Sequence, residues 1–154
     1  MENINEKTNE KLNRLIDIAE DGKEGYENAA EELIDAALKN SFLLFAKERS
    51  VYASQLREIV NQLKGEAEGR GGDAKGSLHR VWIGLKASLT SGDDAIINAC
   101  ITGEEAAIKE YELVINDTSI PESCKPLIKE QLYGIEQALA SIKSQIQNER
   151  LSTI

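Results

Sequence analysis

The sequence predicts an all-α fold in which four long helices form two antiparallel hairpins. Apolar residues recur three and four positions apart in four long segments, which is the spacing of a helix that buries one face. The two prolines, Pro121 and Pro126, both lie late in the chain, so residues 1–120 are free of the strongest helix breaker. A chain of 154 residues is long enough for one domain with a buried core, and we expect residues 1–154 to form that domain.

The first predicted hairpin has its turn at Asp35. Asn5 and Thr8 are both suitable N-caps for the first helix, which is expected to run to about Ile34. Asp35 is placed to cap the second helix, whose apolar stripe continues to about Lys64. The glycine-rich segment that follows predicts a flexible connector.

The second predicted hairpin follows a long crossover at residues 65–92. Within the crossover, residues 77–90 have the pattern of a short amphipathic helix. Asp93 is placed to cap the third helix, which is expected to end near Asn116, and the segment DTSIPES predicts a turn into the fourth helix. Short loops within the hairpins and a long connection between them are the connectivity of a ferritin-like bundle.

Composition limits the classes of function. The chain has 18 basic and 27 acidic residues, and the resulting net charge of −9 repels nucleic acid and anionic lipid. No apolar run approaches the roughly 18 residues of a membrane span, and the polar N-terminus lacks the apolar core of a signal peptide. The two cysteines are too few for a disulfide framework. We therefore expect a cytoplasmic protein with neither nucleic acid nor a membrane as a partner.

Two charged residues interrupt the predicted apolar stripes. Arg49 occupies an inward position of the second helix, and Glu104 occupies one in the third helix. Because a buried charge needs a partner, we expect these two side chains to pair inside the bundle. The predicted core charge layer consists of Lys23, Arg49 and Glu104, with Tyr26, Tyr52 and Tyr111 as hydroxyl donors.

Three segments carry a resemblance to a known family, and they read LIDIAEDGKEGYENAAE, LHRVWIGLKASLTSGDD and CITGEEAAIKEYE. They resemble a bacterial family of ferritin-like four-helix-bundle proteins of unknown function, and the resemblance runs from about Leu12 to Ile142. Its most specific part is LHRVWIGLK, because a His-Arg-x-Trp crossover helix is not a generic feature of bundles. The resemblance implies a ferritin-like fold within the superfamily of the rubrerythrin and ferritin di-iron proteins. It implies no particular reaction.

The di-iron pattern of that superfamily is not matched. It needs a Glu from each of two helices and a Glu-x-x-His from each of the other two. The segment FLLFAKERSVYAS resembles the rubrerythrin pattern, but its ligand positions fall on Arg49 and Tyr52, and a guanidinium repels a metal ion. The only histidine, His79, lies outside the four long helices. A register shifted by one residue offers an alternative site for iron or manganese, made of one carboxylate from each helix: Glu24, Glu48, Glu105 and Glu136.

The crossover helix carries a second group of polar residues. His79, Arg80 and Lys86 surround Trp82 in sequence, and their charges suit an anion or an acidic partner. We favour a simpler interpretation, in which Trp82 and Leu85 anchor the helix while the polar side chains face water.

Two functions of different classes are consistent with the sequence, and we prefer the first. The first is a non-enzymatic ferritin-like bundle without a cofactor, in which a buried charge layer replaces the metal site and which serves as a structural or interaction module and self-associates. The second is a divergent di-iron or di-manganese carboxylate protein for metal handling or oxidative-stress chemistry. A pocket beneath the crossover helix for a small apolar or anionic ligand is a third hypothesis.

Overall fold

The computed structural model describes residues 5–67 and 92–152, with side chains up to residue 146. Within these ranges the chain forms four α-helices, one short 3-10 helix and no strand. The prediction of an all-α four-helix bundle is confirmed. None of the helices in these ranges is long and apolar enough to cross a membrane. The elements are α1 (Glu6–Glu32), α2 (Ala36–Gln62), α3 (Asp93–Ile115), the 3-10 helix (Glu122–Cys124) and α4 (Lys125–Ser152).

The first hairpin is capped as the sequence predicts. The side chain of Asn5 accepts a hydrogen bond from the backbone N–H of Thr8 at 2.7 Å, so Asn5 is the N-cap of α1 and Thr8 lies within the helix. The helix ends at Glu32, slightly before the predicted Ile34, because the next residue has an extended backbone. Asp35 caps α2 by accepting from the N–H of a residue in its first turn at 2.9 Å.

The start of α3 differs from the prediction. Gly92 is its N-cap, with a φ of 95° that favours glycine, and Asp93 is the first helical residue. The Asp93 carboxylate does not cap its own helix but accepts hydrogen bonds from the backbone N–H groups of Ile34 at 2.9 Å and Asp35 at 3.1 Å. The turn between α1 and α2 is therefore fastened to the start of α3.

The helices pack as two hairpins, α1 with α2 and α3 with α4. The start of α1 meets the turn before α4, where the Thr8 hydroxyl donates to the carbonyl of Ser119 at 3.1 Å. The start of α2 meets the last part of α4, where Gln145 donates to Ser41 at 3.4 Å. These contacts make α1 antiparallel to α3 and α2 antiparallel to α4. Consequently α2 ends and α3 begins at opposite ends of the bundle, as the crossover prediction requires.

The first residues of the crossover are held against α1. Asn13 donates to the carbonyl of Glu66 at 2.8 Å, and the N–H of Glu66 donates to the side chain of Asn9 at 3.1 Å. Two hydrogen bonds therefore connect Glu66, at the start of the predicted connector, to α1. The predicted crossover helix at residues 77–90, including His79, Arg80, Trp82 and Lys86, lies outside the described residues.

Candidate functional site

An ion pair between Arg49 of α2 and Glu104 of α3 lies in the interior of the bundle. Nη1 of Arg49 donates to Oε1 of Glu104 at 2.7 Å, and Nη2 donates to Oε2. The two side chains are 2% and 0% exposed, respectively. Two parallel N–H···O bonds give this contact the geometry that is strongest and most specific for an arginine and a carboxylate. We call this contact the central ion pair.

A glycine of α1 leaves room for the guanidinium. A Cβ atom at Gly22 would lie 3.1 Å from Nη1 of Arg49 and 3.5 Å from its Cγ. The Arg49 side chain therefore lies against α1 at a position without a side chain. The sequence alone does not place Gly22 at the site, because its only signal is a glycine inside a regular helical pattern.

Burial and ion pairing act on the guanidinium in opposite directions. Burial lowers the pKa of Arg49, but the negative charge of Glu104, with smaller contributions from Tyr26 and Tyr111, raises it above its ordinary value. Arg49 is therefore a permanent cation at physiological pH. Because the pair is removed from water, loss of either partner leaves the other charge buried and uncompensated.

Two tyrosine rings flank the guanidinium. Cζ of Arg49 lies 5.5 Å from the ring centroid of Tyr26 and 6.0 Å from that of Tyr52, within the range of cation–π contact. Burial, followed by the negative charge of Glu104, raises the pKa of the Tyr26 hydroxyl well above its ordinary value. Tyr52 is half-buried, and burial also raises its pKa. Both tyrosines are thus neutral at physiological pH, and their rings are neighbours of the central ion pair.

Tyr111 belongs to a hydrogen-bond network beside the central ion pair. Its hydroxyl donates to Oε1 of Gln131 at 2.8 Å. Nε2 of Gln131 donates in turn to the backbone carbonyl of Tyr52 at 3.2 Å and to the side chain of Gln55 at 3.0 Å. The amide of Gln131 therefore links α2, α3 and α4. Gln131 is spaced among the inward-facing apolar residues of α4, but nothing in the sequence indicates its partners.

Lys23 lies outside the buried layer, which corrects the prediction that it belongs there. Its side chain is only partly buried. It lines a surface pocket of about 150 Å³ between α1 and α2, together with Glu20, Glu24, Ser50, Ala53 and Arg57. A lysine at such a boundary keeps its ammonium group in water, and the Glu104 carboxylate is already neutralised by Arg49.

The four carboxylates of the alternative metal site do not converge. Glu24, Glu105 and Glu136 are exposed, while Glu48 is partly buried and burial raises its pKa. In the part of the chain that the structure describes, no three His, Cys, Asp or Glu side chains are grouped so that they could hold a metal ion. Glu48 precedes Arg49 and Glu105 follows Glu104 in sequence. Each of these two carboxylates therefore lies about 100° around its helix from the residue of the central ion pair beside it. The alternative prediction, that these four carboxylates form one metal site, is therefore wrong.

The central ion pair connects the two hairpins. Both oxygens of Glu104 accept hydrogen bonds from Arg49, and that contact joins α2 of the first hairpin to α3 of the second. A bidentate contact of this kind specifies both the height and the rotation of one helix relative to the other. The central ion pair therefore joins one position on α2 to one position on α3 in the interior.

A family model described as a domain of unknown function, DUF2383, matches residues 7–117. The matched region contains α2, α3 and most of α1, and so includes Gly22 and both residues of the central ion pair. Comparison with curated proteins gave no significant match. Because the family match covers well over half of the 154 residues, the chain belongs to the DUF2383 family.

Proposed function

We propose that this protein is a non-enzymatic bundle of the ferritin-like type, in which the central ion pair takes the place of a metal centre. The proposal rests on one observation, the bidentate contact between Arg49 and Glu104 at 2% and 0% exposure. Its role is that of a structural or interaction module in the bacterial cytoplasm. Cys100 and Cys124 are both free and buried, which fits a reducing compartment.

Charge balance supports the replacement of a metal. In carboxylate metal centres, inward-facing acidic side chains are neutralised by bound cations. Here the inward-facing Glu104 is neutralised by a guanidinium, which cannot lose its proton at neutral pH. The resemblance of the α2 segment to the rubrerythrin pattern, with Arg49 at a ligand position, agrees with this interpretation. A cation brought close to this position would meet repulsion from Arg49.

The proposal is tested by exchanging the guanidinium for a carboxylate. In Arg49→Glu, two carboxylates face each other in the interior, and a divalent ion is then needed to neutralise them. We expect Mn²⁺ or Zn²⁺ to raise the melting temperature of Arg49→Glu and to leave that of the wild type unchanged, because a ligand stabilises only a state that binds it. If Arg49→Glu does not fold alone, recovery of helical circular dichroism on addition of metal is the measurement.

Arg49→Gln is the matched control. It also removes the cation but adds no carboxylate, so metal should not stabilise it. A wild-type protein that retains stoichiometric iron or manganese through purification, and loses it in Glu104→Gln, would contradict the proposal. So would equal metal-dependent stabilisation of the wild type and Arg49→Glu.

A further inference from the structure

One row of polar residues on α1 is buried although it faces away from the core of the bundle. Asp17 and Asp21 each follow a core residue, Leu15 and Ala19, by two positions, and so lie about 200° from it around the helix. The two aspartates are nevertheless only 7% and 6% exposed. Asn13, which is 8% exposed, lies one turn before Asp17 on the same face. We call Asn13, Asp17 and Asp21 the outer row.

The neighbouring helices meet α1 on the two sides of the outer row. Glu20 forms an ion pair with Arg57 of α2, and Arg14 forms one with Glu110 of α3. Glu20 and Arg14 each lie three positions from Asp17, and so about 60° from it on opposite sides of the helix. The outer row therefore lies between these two contacts and faces outwards. Its burial calls for a further segment of chain with positive charge, because aspartates are almost never removed from water unless they are paired.

The two ends of the crossover lie at the two ends of this face. At its start, the carbonyl of Glu66 accepts a hydrogen bond from Asn13, a member of the outer row, at 2.8 Å. At its end, Asp93 binds the backbone of Ile34 and Asp35, in the turn that follows α1. Roughly 30 Å of helix separates these two attachments, at a rise of about 1.5 Å per residue. Residues 68–91 are numerous enough to follow α1 over this distance, even with the helix that the sequence predicts at residues 77–90.

The charge of residues 68–91 is opposite to that of the outer row. The segment contains only two acidic residues and four basic ones, Arg70, Lys75, Arg80 and Lys86, whereas the whole chain has a net charge of −9. A second copy of the chain is repelled by its own net charge. The crossover segment, by contrast, is joined to α1 at both ends, which gives it a high effective concentration at this face.

We propose that residues 68–91 dock along the outer row, that their basic side chains neutralise its two aspartates, and that Arg80 is the partner of Asp21. The pairing follows from equal spacing. Asp93 contacts Ile34, and Arg80 precedes Asp93 by thirteen residues, as Asp21 precedes Ile34. Because parallel helices rise equally per residue, the helix predicted at residues 77–90 brings Arg80 to within about one turn of the height of Asp21.

This docking assigns the outer face of α1 to the chain itself. A protein that binds to this interaction module therefore uses another face of the bundle. The inference goes beyond the proposed function, because the outer row and the central ion pair lie on opposite sides of α1.

The first test is amide hydrogen exchange of the full chain, measured by mass spectrometry. In the wild type the amides of residues 77–90 should be protected, because a docked segment opens less often than a free one. Asp21→Asn and Arg80→Gln should each lose much of this protection, while exchange in α2 and α3 stays as in the wild type. Glu31→Gln is the matched control, because it removes an exposed carboxylate from the same helix and should leave the protection unchanged.

The second test exchanges the two charges. Asp21→Arg and Arg80→Asp each place like charges at the contact, so each variant should lose protection at residues 77–90 and melt at a lower temperature. The double variant restores opposite charges in reversed order and should regain both properties. Circular dichroism establishes that each variant is folded. If Asp21→Arg does not fold, Asp21→Asn and Arg80→Gln are combined instead, and the pair of changes should cost little more protection than either one alone.

Four results would overturn this inference. They are unprotected amides at residues 77–90 of the wild type, protection that appears only as protein concentration rises, equal protection in Asp21→Asn and Glu31→Gln, and a folded charge-exchanged double variant that stays as unprotected as the single variants. Protection that depends on concentration would assign the outer row to a second copy of the chain. None of these measurements involves a metal ion, so failure of this docking is distinguishable from failure of the proposed replacement of the metal centre.

Discussion

Gly22 of α1 and Arg49 of α2 are in direct contact, because a Cβ atom on the glycine would lie only 3.1 Å from Nη1 of the arginine. The Arg49 guanidinium has little freedom to move away from Gly22, because both of its terminal nitrogens donate hydrogen bonds to Glu104. Gly22 lies within α1 and has a helical backbone. Gly22 leaves space for the Arg49 side chain, and the conformational freedom of a glycine is not needed at this position.

Gly22→Ala is therefore expected to destabilise the protein, although alanine is the better helix former. Propensity alone would stabilise the helix by about 1 kcal/mol. Crowding against a side chain fixed by two hydrogen bonds should outweigh this gain and lower the free energy of unfolding by about 1–3 kcal/mol. Urea denaturation measures the change. In an Arg49→Met background the obstructing nitrogen is gone, so the same substitution should be neutral or stabilising. A stabilised single variant would contradict the contact.

Arg49 and Glu104 should show strong energetic coupling. Arg49→Met leaves a buried carboxylate without its partner, and Glu104→Leu leaves a buried guanidinium, so each should cost about 3–5 kcal/mol of unfolding free energy. The double variant has two apolar side chains of similar length and no buried charge, and it should regain most of this loss. Urea denaturation of the four proteins completes a double-mutant cycle. If the two single losses simply add, the pair is not an energetic unit.

The sequence indicated the central ion pair because helical periodicity gives direction as well as secondary structure. Arg49 and Glu104 occupy inward positions of their stripes, and two opposite charges taken out of water must find each other. The same reasoning was wrong for Lys23. Its position on α1 is at the edge of the buried face, and a flexible four-carbon side chain can reach water from such a position.

Contacts between helices that are distant in sequence could not be predicted in this way. Asp93 follows the rule for an N-cap, yet its carboxylate binds the turn between α1 and α2, because tertiary packing brings that turn close. Gly22 and Gln131 acquire their roles only when a side chain from another helix lies beside them. Local patterns report which way a residue faces but do not report which residue it meets.

Asp93→Ala should weaken the attachment of the first hairpin to α3. The carboxylate accepts from the N–H groups of Ile34 and Asp35, which are near the surface and can be solvated when it is lost. We therefore expect a moderate loss of about 1–2 kcal/mol in unfolding free energy, towards the lower end of the range of about 1.5–3 kcal/mol for hydrogen bonds to a charged group. Hydrogen exchange should report faster exchange of those two amides.

Asp94→Ala is the control for this change. Asp94 is exposed and lies in the same first turn of α3, so its removal costs the same favourable interaction with the helix dipole, about 0.3–1 kcal/mol. The excess loss in Asp93→Ala measures the contact with the turn. Equal losses in the two variants, with unchanged exchange at the turn, would show that the contact contributes nothing.

The ion pair between Arg14 of α1 and Glu110 of α3 should make stability depend on pH in acid. Nε and Nη2 of Arg14 donate to the two carboxylate oxygens of Glu110, each at 2.9 Å. The hydrogen bond from Arg14 lowers the pKa of Glu110 below its ordinary value of 4.5, against the opposing effect of burial. The folded protein therefore releases this proton more readily than the unfolded chain does.

The direction of the pH dependence follows from linkage. The stabilisation is fully present above the pKa of the unfolded chain, and it is lost as pH falls below about 4.5 and through the lower pKa of the folded state. We expect the fall in unfolding free energy between pH 7 and pH 3 to be smaller in Glu110→Gln than in the wild type. Arg14→Met should reduce the fall in the same way. In the Arg14→Met background, Glu110→Gln should have little further effect on the pH dependence of the unfolding free energy, because the Glu110 carboxyl has already lost its partner. Urea denaturation at a series of pH values measures how the unfolding free energy changes with pH. If both single variants keep the pH dependence of the wild type, the ion pair does not shift the titration of Glu110.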